Sequence, residues 1–501
     1  MEYIEYMQRK EKKRLDFNRP TFDEPEFKIP CREITNKVED NVLKRPSNKS
    51  SLADDEESLQ DSVASKESIS VQSKFNVHLR LKPIKDPLPD VYNFDIKSNL
   101  VTVTSSMMTI ERQYTFTSIL DDNKDQKTLY DECVRPILAD PFSSQGAVFA
   151  SYGVSNSGKT YTILGQENPG IVPRALAQIF SENHNQIEKY PACKLVNNQI
   201  AFLDDNKANS ELMLSMDLLA DAKKIRGKLA NQWVAIDENH HFTQREVAEE
   251  FQQIYVWVSF LEIYNEKIID LLKPPKSGQS KFERPLKIIS NNHDPYILGL
   301  TWICVSNIHD ALHLLQFGLQ RANYAQTGLN PHSSRSHTIF TIQLISEIAT
   351  GNMSKFEIAS YKFCDLAGAE RISKTSNTGD RIKEAGGINS SLLVLGRCLE
   401  AVQYNQNVGV KRKQIVPVRD SKLTMLLESS LKGFEKFVMI VNLQPNIECL
   451  DENLNVLHFG SIANKIVTRS KMPRKFTRRS SRYSHVAGST VNNSVQLTES
   501  W

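Results

Sequence analysis

Gly153, Val154, Ser155, Asn156, Ser157, Gly158, Lys159 and Thr160 fit the pattern G-x-x-x-x-G-K-S/T. Glycines at that spacing let the backbone wrap phosphate oxygens with its N–H groups, and a helix starting next adds a favourable dipole. Lys159 is placed to reach the β- and γ-phosphates, and the Thr160 hydroxyl to ligate Mg²⁺. The apolar run Ala147 to Ala150 precedes the loop and Tyr161 to Leu164 follows it, so strand, loop and helix come in the order that phosphate binding needs. The implied chemistry is capture of a nucleoside triphosphate with its metal.

A phosphate cradle does not hydrolyse what it binds, so further groups are required for the metal and the attacking water. Two polar runs offer them. Asp365 ends the apolar segment Tyr361 to Cys364, where an acid can hold Mg²⁺ directly or through water, and Gly368 and Glu370 follow closely. Asn330, Ser333, Ser334 and Arg335 lie in a dense run that closes with His337 just before another apolar segment. They supply hydroxyls for metal and water and a guanidinium for a carboxylate.

The elements that would position these groups read as an α/β sheet. Strand-like segments run over Phe75 to Leu81, Ala147 to Tyr152, Tyr255 to Tyr264, Ile339 to Ile345 and Phe437 to Leu443, interspersed with helical stretches such as Ser391 to Val402. The first of them alternates as a half-buried strand would, and Pro83 ends it. Residues 1–74 form a polar arm with nine serines between Ser47 and Ser73, a composition expected to stay disordered. Residues 181–253 interrupt the pattern as a polar insertion. Within it Leu214, Leu218, Ile225 and Leu229 recur at helical spacing, as in a surface helix packed on its own domain.

With 501 residues, 62 basic against 59 acidic side chains and a mean hydropathy of −0.41, the chain is no generally polybasic binder of nucleic acid or membrane. The charge is nevertheless polarised: from residue 403 onward fifteen basic face seven acidic side chains, a surplus of eight. Lys465 to Arg482 alone holds eight cations and no acid. Seven scattered cysteines without a close pair argue against a disulfide framework or a zinc site and point to a reducing, intracellular setting. Neither a secretory signal nor a membrane span is expected.

Taken in order, the phosphate loop, the run Asn330 to His337 (NxxSSRSH) and Asp365 to Glu370 (DLAGxE) resemble the phosphate loop and two switches of the kinesin motor domain. Val77 to Pro83 is similar to that family's adenine-side RxRP strand, Leu261 to Glu266 to its EIYNE segment, Ile388 to Gly396 to the helix after the second switch, and Val416 to Thr424 to VPYRDSKLT. The resemblance covers about residues 75–470, leaving 471–501 as a basic, flexible neck or tail segment. The long insertion resembles the mitotic-kinesin-like branch.

The resemblance implies a P-loop NTPase fold: a central, mostly parallel sheet with helices on both faces, plus a long inserted loop region. It implies ATP and Mg²⁺ as ligands, with Thr160, Ser334 and, through water, Asp365 serving the metal. Asn330 and Ser333 would position water and γ-phosphate, Gly368 would approach the phosphate by its backbone, and Arg335 would pair with Glu370, the expected final proton acceptor. Arg80, Pro83 and Tyr161 would flank the adenine. The partner implied is the acidic microtubule, met by Lys374, Arg381, Lys383, Lys411, Arg412, Lys413, Arg419 and Lys422.

Together these imply a plus-end-directed, microtubule-stimulated ATPase of the cytoplasm and spindle; the rival reading is a non-motile microtubule crosslinker with weak turnover. A nuclear stay between divisions is the other meaning of the basic run. A division-related partner is expected at the insertion or on a stalk beyond this chain, since no heptad repeat follows the motor. Ala369, Lys82 and Ser390 depart from the family's usual Ser, Arg and Lys. Asn464 to Thr468 gives way to a basic run rather than the usual start of a neck linker, so ordinary neck docking is not expected.

Overall fold

The computed structural model describes residues 72–105, 108–144, 146–224, 233, 251–273, 285–291, 294–324, 335–350, 353–370, 380–469 and 475–479. All belong to one unit, Ser68–Trp501. The chain enters through β1 (Gln72–Lys74) and β2 (Asn76–Leu81), then forms the meander β3 (Tyr92–Asp95), β4 (Leu100–Ser105) and β5 (Met108–Thr115) before β6 (Ser118–Leu120). Helices α1 (Gln126–Cys133) and α2 (Arg135–Leu138) lead to β7 (Gly146–Tyr152), α3 (Lys159–Ile163) and α4 (Ile171–Glu182). Next come β8 (Cys193–Val196), β9 (Gln199–Phe202), α5 (Asp205–Lys223), β10 (Phe251–Tyr264) and β11 (Lys267–Asp270). Strands β12 (Lys287–Asn291), β13 (Asp294–Leu298) and β14 (Ile303–Val305), helix α6 (Ile308–Tyr324) and the paired strands β15 (His337–Thr350) and β16 (Met353–Asp365) follow. The remainder is α7 (Asp380–Gln406), α8 (Lys422–Leu426), α9 (Glu428–Leu431), β17 (Lys436–Leu443), α10 (Leu450–Asn464), β18 (Val467–Arg469) and β19 (Lys475–Arg479).

The α/β architecture is as the sequence implies, but the central sheet is mixed rather than mostly parallel. Its order is β11-β10-β15-β16-β7-β17-β2-β6, with β14 beside β10 and β19 beside β16. Strands β16, β7, β17, β2 and β6 run parallel, whereas β11, β10, β15 and β16 pair antiparallel. The reason is connectivity: β10–β11 and β15–β16 return directly, and only parallel neighbours need a crossover. Side chains alternate between two cores. On β7, Phe149 faces a layer holding Leu129, Leu176 and Leu312, while Val148 faces one holding Leu395, Leu399 and Leu457.

Two further expectations change. The first strand is not half-buried: β2 lies between β17 and β6, both of its faces are covered, and His78 and Arg80 go inside with the apolar residues. The insertion is more than a loop, because β8 and β9 form a hairpin turned by left-handed Asn197 and Asn198, and α5 is capped by Asp204 accepting from the Lys207 N–H. Leu218 is buried and Leu214 packs on the same core, while Lys223 pairs with Asp310 of α6 at 2.9 Å, so α5 rests on its own domain as its stripe implies. Ile225 and Leu229 lie outside the described residues.

The domain boundaries move as well. β1 pairs antiparallel with β18, so 72–74 belong to the fold, and the rest of the expected arm lies outside the described residues. β19 pairs with β16 and buries Phe476 beside Phe356, which gives Lys475–Arg479 a place in the central sheet instead of a flexible tail. Of the segment after α10, Val467–Arg469 and Lys475–Arg479 are thus paired into sheets, with β1 and β16 respectively. Among the described residues no helix is long and apolar enough to cross a membrane.

Candidate active site

Four parallel strands end at one edge of the sheet. Asp365 on β16 is level with Ser151 on β7, Tyr152 on β7 with Val441 on β17, and Asn442 on β17 with Arg80 on β2. That edge, at the carboxyl ends of the strands, is where open α/β sheets take ligands, and the phosphate loop leaves β7 into it. The loop's glycines are required by space and dihedral. A Cβ on Gly153 would lie 2.3 Å from the Asn442 carbonyl oxygen, and Gly158 has φ +101° at the start of α3. Asn156 is also left-handed (φ 62°), and Lys82 donates to its carbonyl at 2.6 Å.

Lys159 is buried and its Nζ donates to the Val154 carbonyl at 2.8 Å. Burial lowers its pKa, opposed by the nearby Asp365 and Glu370 carboxylates. Thr160 Oγ1 donates to Asp365 Oδ2 at 2.6 Å, and Ser151 Oγ to Asp365 Oδ1 at 3.3 Å. Burial raises the Asp365 pKa in spite of these hydrogen bonds and Lys159. Two of the three residues expected at the metal are thus in contact, on a carboxylate whose charged form a cation would favour. Ser157 Oγ is buried without a partner among the described residues, as a hydroxyl meant for a phosphate oxygen would be. The donor set fits Mg²⁺ and a triphosphate.

Glu370 reaches the loop directly. Its Oε2 accepts from the Ser155 N–H at 2.9 Å and its Oε1 from the Ser155 hydroxyl at 2.5 Å, while the Ala369 N–H donates to the Gly153 carbonyl at 3.0 Å. Gly368 lies so close that a Cβ there would come within 2.5 Å of both Glu370 and Ser155. Val154 is buried behind the loop. Arg335, expected to pair with Glu370, is half-buried ahead of β15; Asn330, Ser333 and Ser334 lie outside the described residues.

On the adenine side Arg80 is buried. Its guanidinium donates to Gln126 Oε1 at 2.7 Å and Thr162 Oγ1 at 2.9 Å and lies 5.3 Å from the Tyr161 ring centroid. Burial lowers its pKa. Thr162 in turn donates to Asn442 Oδ1 at 2.6 Å. Arg80 thus braces α1 and α3 from within, and the groups presented outward at this edge are the Tyr161 ring and Pro83.

Residue-type reasoning passed over His337, although it closes the Asn330 to His337 run. It is buried at the start of β15. Its Nδ1 accepts from the Ala367 N–H at 3.0 Å and its Nε2 meets Ser391 Oγ at 2.8 Å. An acceptor at Nδ1 fixes the proton on Nε2, so the ring donates to Ser391. Burial, with Lys159 nearby, brings its pKa down to about 3. One neutral imidazole therefore ties together β15, the segment after Asp365 and helix α7. Asn442 had a signal, being the lone polar residue in the apolar run Phe437 to Leu443; Gln126 had none.

The basic residues divide. Lys411, Arg412, Lys413 and Arg419 are exposed. Lys422 is half-buried at the start of α8, and its N–H and the Ser421 hydroxyl both donate to Glu266, at 2.6 and 3.0 Å. Arg381 and Lys383 fall in α7, and Lys374 lies outside the described residues.

Residues 45–466 match the family model for the kinesin motor domain. The chain belongs to the kinesin family. Kinesin-like protein subito of Drosophila melanogaster is 41% identical over 411 residues, which cover 80% of this chain and 64% of that protein. Kinesin-like protein KIF20A of Homo sapiens is 33% identical over 403 residues, covering 73% and 45%. This kinesin falls with them in the mitotic-kinesin-like branch, and it spans less than two thirds of either relative's length. A KIF14 dimer, solved in a two-heads-bound state with AMP-PNP and in complex with a microtubule, shares the fold at a TM-score of 0.60 and 25% identity over 80% of this chain and 97% of that one.

Proposed function

We propose that this kinesin is a microtubule-stimulated ATPase motor, plus-end directed and acting on the spindle during cell division. The observation that carries the reading is the convergence on one loop of Lys159, Thr160, Asp365 and Glu370, through the 2.6 Å Thr160–Asp365 and 2.9 Å Ser155–Glu370 contacts. Likeness to a kinesin held with AMP-PNP on a microtubule supports nucleotide and filament as ligands.

Each residue then has a task. Lys159 exchanges the Val154 carbonyl for phosphate oxygens and neutralises their charge, and the loop's N–H groups with Ser157 Oγ fix the phosphates. Thr160, Ser334 and, through water, Asp365 would hold Mg²⁺, which would neutralise charge on the triphosphate. Asn330 and Ser333 orient the attacking water; Gly368, without a Cβ, admits the γ-phosphate to its backbone. Glu370 is the proton acceptor and the partner of Arg335, and its bonds to the Ser155 N–H and hydroxyl hold its carboxylate at the phosphate loop. Lys411, Arg412, Lys413 and Arg419 present positive charge to the acidic filament, with Lys374, Arg381, Lys383 and Lys422 completing the face.

Steady-state ATPase with and without polymerised tubulin tests this. Microtubules should raise turnover of the wild type, and Glu370→Ala should lower the stimulated rate by roughly 10²-fold or more. If stimulated wild-type turnover equals that of Glu370→Ala, the motor reading is wrong and the crosslinker stands. Gliding of polarity-marked microtubules checks direction, and movement toward the minus end refutes that part.

A further inference from the structure

Helix α7 ends in two adjacent carboxamides, and each clasps the backbone of a different segment. Asn405 Nδ2 donates to the Gln414 carbonyl at 2.8 Å, and Asn405 Oδ1 accepts from the Gln414 N–H at 2.7 Å. Gln406 Nε2 donates to the Val467 carbonyl at 2.8 Å, and Gln406 Oε1 accepts from the Val467 N–H at 3.2 Å. Only one orientation of each carboxamide satisfies both of its bonds, so each clasp fixes its side chain as well as the backbone it holds.

The two clasped segments face different tasks. Gln414 directly follows Lys411, Arg412 and Lys413, the exposed basic turn. Val467 opens β18, which pairs with β1 by Thr468↔Ser73 and Val467↔Lys74. Since the Phe75 N–H goes to the Ile466 carbonyl at 3.0 Å and both polar groups of Val467 go to Gln406, β18 is held on two edges. β1 binds one edge, and a single side chain does on the other what a third strand would do. Helix α7 itself begins beyond the Asp365 to Glu370 segment and is gripped by His337 at Ser391.

We propose that Asn405 and Gln406 are positioning residues that couple the basic turn to β18 through the end of α7, so that displacing either segment loosens the other. The proposal deepens the motor reading, since the basic turn is the surface assigned there to the filament. In it, filament contact at Lys411–Lys413 is registered at β18, the strand that follows the last helix, by two hydrogen-bonded amide pairs, and neither residue touches the nucleotide site.

Hydrogen exchange of peptides covering 410–416 and 464–469 decides it, on the full chain without and with polymerised tubulin. In the chain alone, Asn405→Ala should speed exchange of 410–416 and Gln406→Ala that of 464–469, each by roughly five- to ten-fold. The coupling requires a cross-effect: Asn405→Ala must also speed 464–469, and Gln406→Ala must also speed 410–416, by about two-fold or more. Gln406→Glu keeps only the acceptor and should fall between wild type and Gln406→Ala.

Strictly local effects in both single variants overturn the proposal, whatever happens with tubulin. With microtubules, wild type should gain protection in both peptides, and Gln406→Ala in 410–416 only; wild-type-like protection of 464–469 in Gln406→Ala also overturns it. Absence of protection at 410–416 in the wild type counts against the filament reading instead. Basal ATPase should not change in either variant, while gliding velocity falls.

Discussion

Replacing His337 by Leu removes a buried imidazole that bonds the Ala367 N–H at 3.0 Å and Ser391 Oγ at 2.8 Å. The buried Ala367 N–H left unsatisfied costs about 1–3 kcal/mol and Ser391 loses one hydrogen bond worth about 0.5–1.5, so His337→Leu should lose roughly 2–4 kcal/mol against a domain stability on the order of 5–15. Asn at this position can offer its Oδ1 where Nδ1 stood and keep the Ala367 bond; Gln can reach Ser391 instead. Asn should recover the larger part of the loss and Gln the smaller.

The pH dependence gives a second handle. With the folded-state pKa depressed to about 3 from 6.5, the unfolded chain binds one more proton between those values. The stability from the neutral ring is therefore complete above pH 6.5 and is lost as pH falls, at about 1.4 kcal/mol per unit. Urea unfolding at pH 7.5, 6.5 and 5.5 measures both effects, and the wild type's advantage over His337→Leu should shrink by about 1 kcal/mol between the last two. Subtracting the variant removes other titrating groups, such as buried His78, whose pKa also falls, to about 4. The reasoning fails if His337→Asn is as unstable as His337→Leu, or if the advantage does not change with pH.

Gly318 on α6 is packed so closely that a Cβ would sit 2.2 Å from the Phe260 ring, and Gly318→Ala should cost about 1–3 kcal/mol in urea unfolding. Glu266→Gln should weaken the link between the β10–β11 turn and the start of α8 and lower stability by about 1–2 kcal/mol, readable in the same assay; no change means that the Ser421 and Lys422 bonds contribute nothing net. Reversing Lys411, Arg412 and Lys413 to Glu should weaken microtubule cosedimentation and flatten its salt dependence without changing basal ATPase. Truncation at residue 470 removes β19 with Phe476, so it should lower the melting temperature as well as salt-sensitive filament binding; an unchanged melting temperature would show that β19 does not stabilise the sheet.

The sequence by itself determined the phosphate chemistry, because that depends on a contiguous run: glycines that permit φ of +101°, a lysine and a hydroxyl at fixed spacing, and an apolar strand before them. It also determined the α/β class and the helical stripe of the insertion, which rest on local periodicity. What tertiary structure decided is which distant segments become neighbours. Whether β2 exposes Arg80 depends on α1 and α3, whose Gln126 and Thr162 meet its guanidinium, and whether a basic tail becomes a strand depends on the open edge that β16 leaves past the end of β7. The pairing of Gln72–Lys74 with Val467–Arg469 joins opposite ends of the domain, and the clasps of Asn405 and Gln406 join residues unremarkable in type. Short-range propensity carries no record of such contacts, since the free energy of each resides in a partner that the chain supplies only after folding.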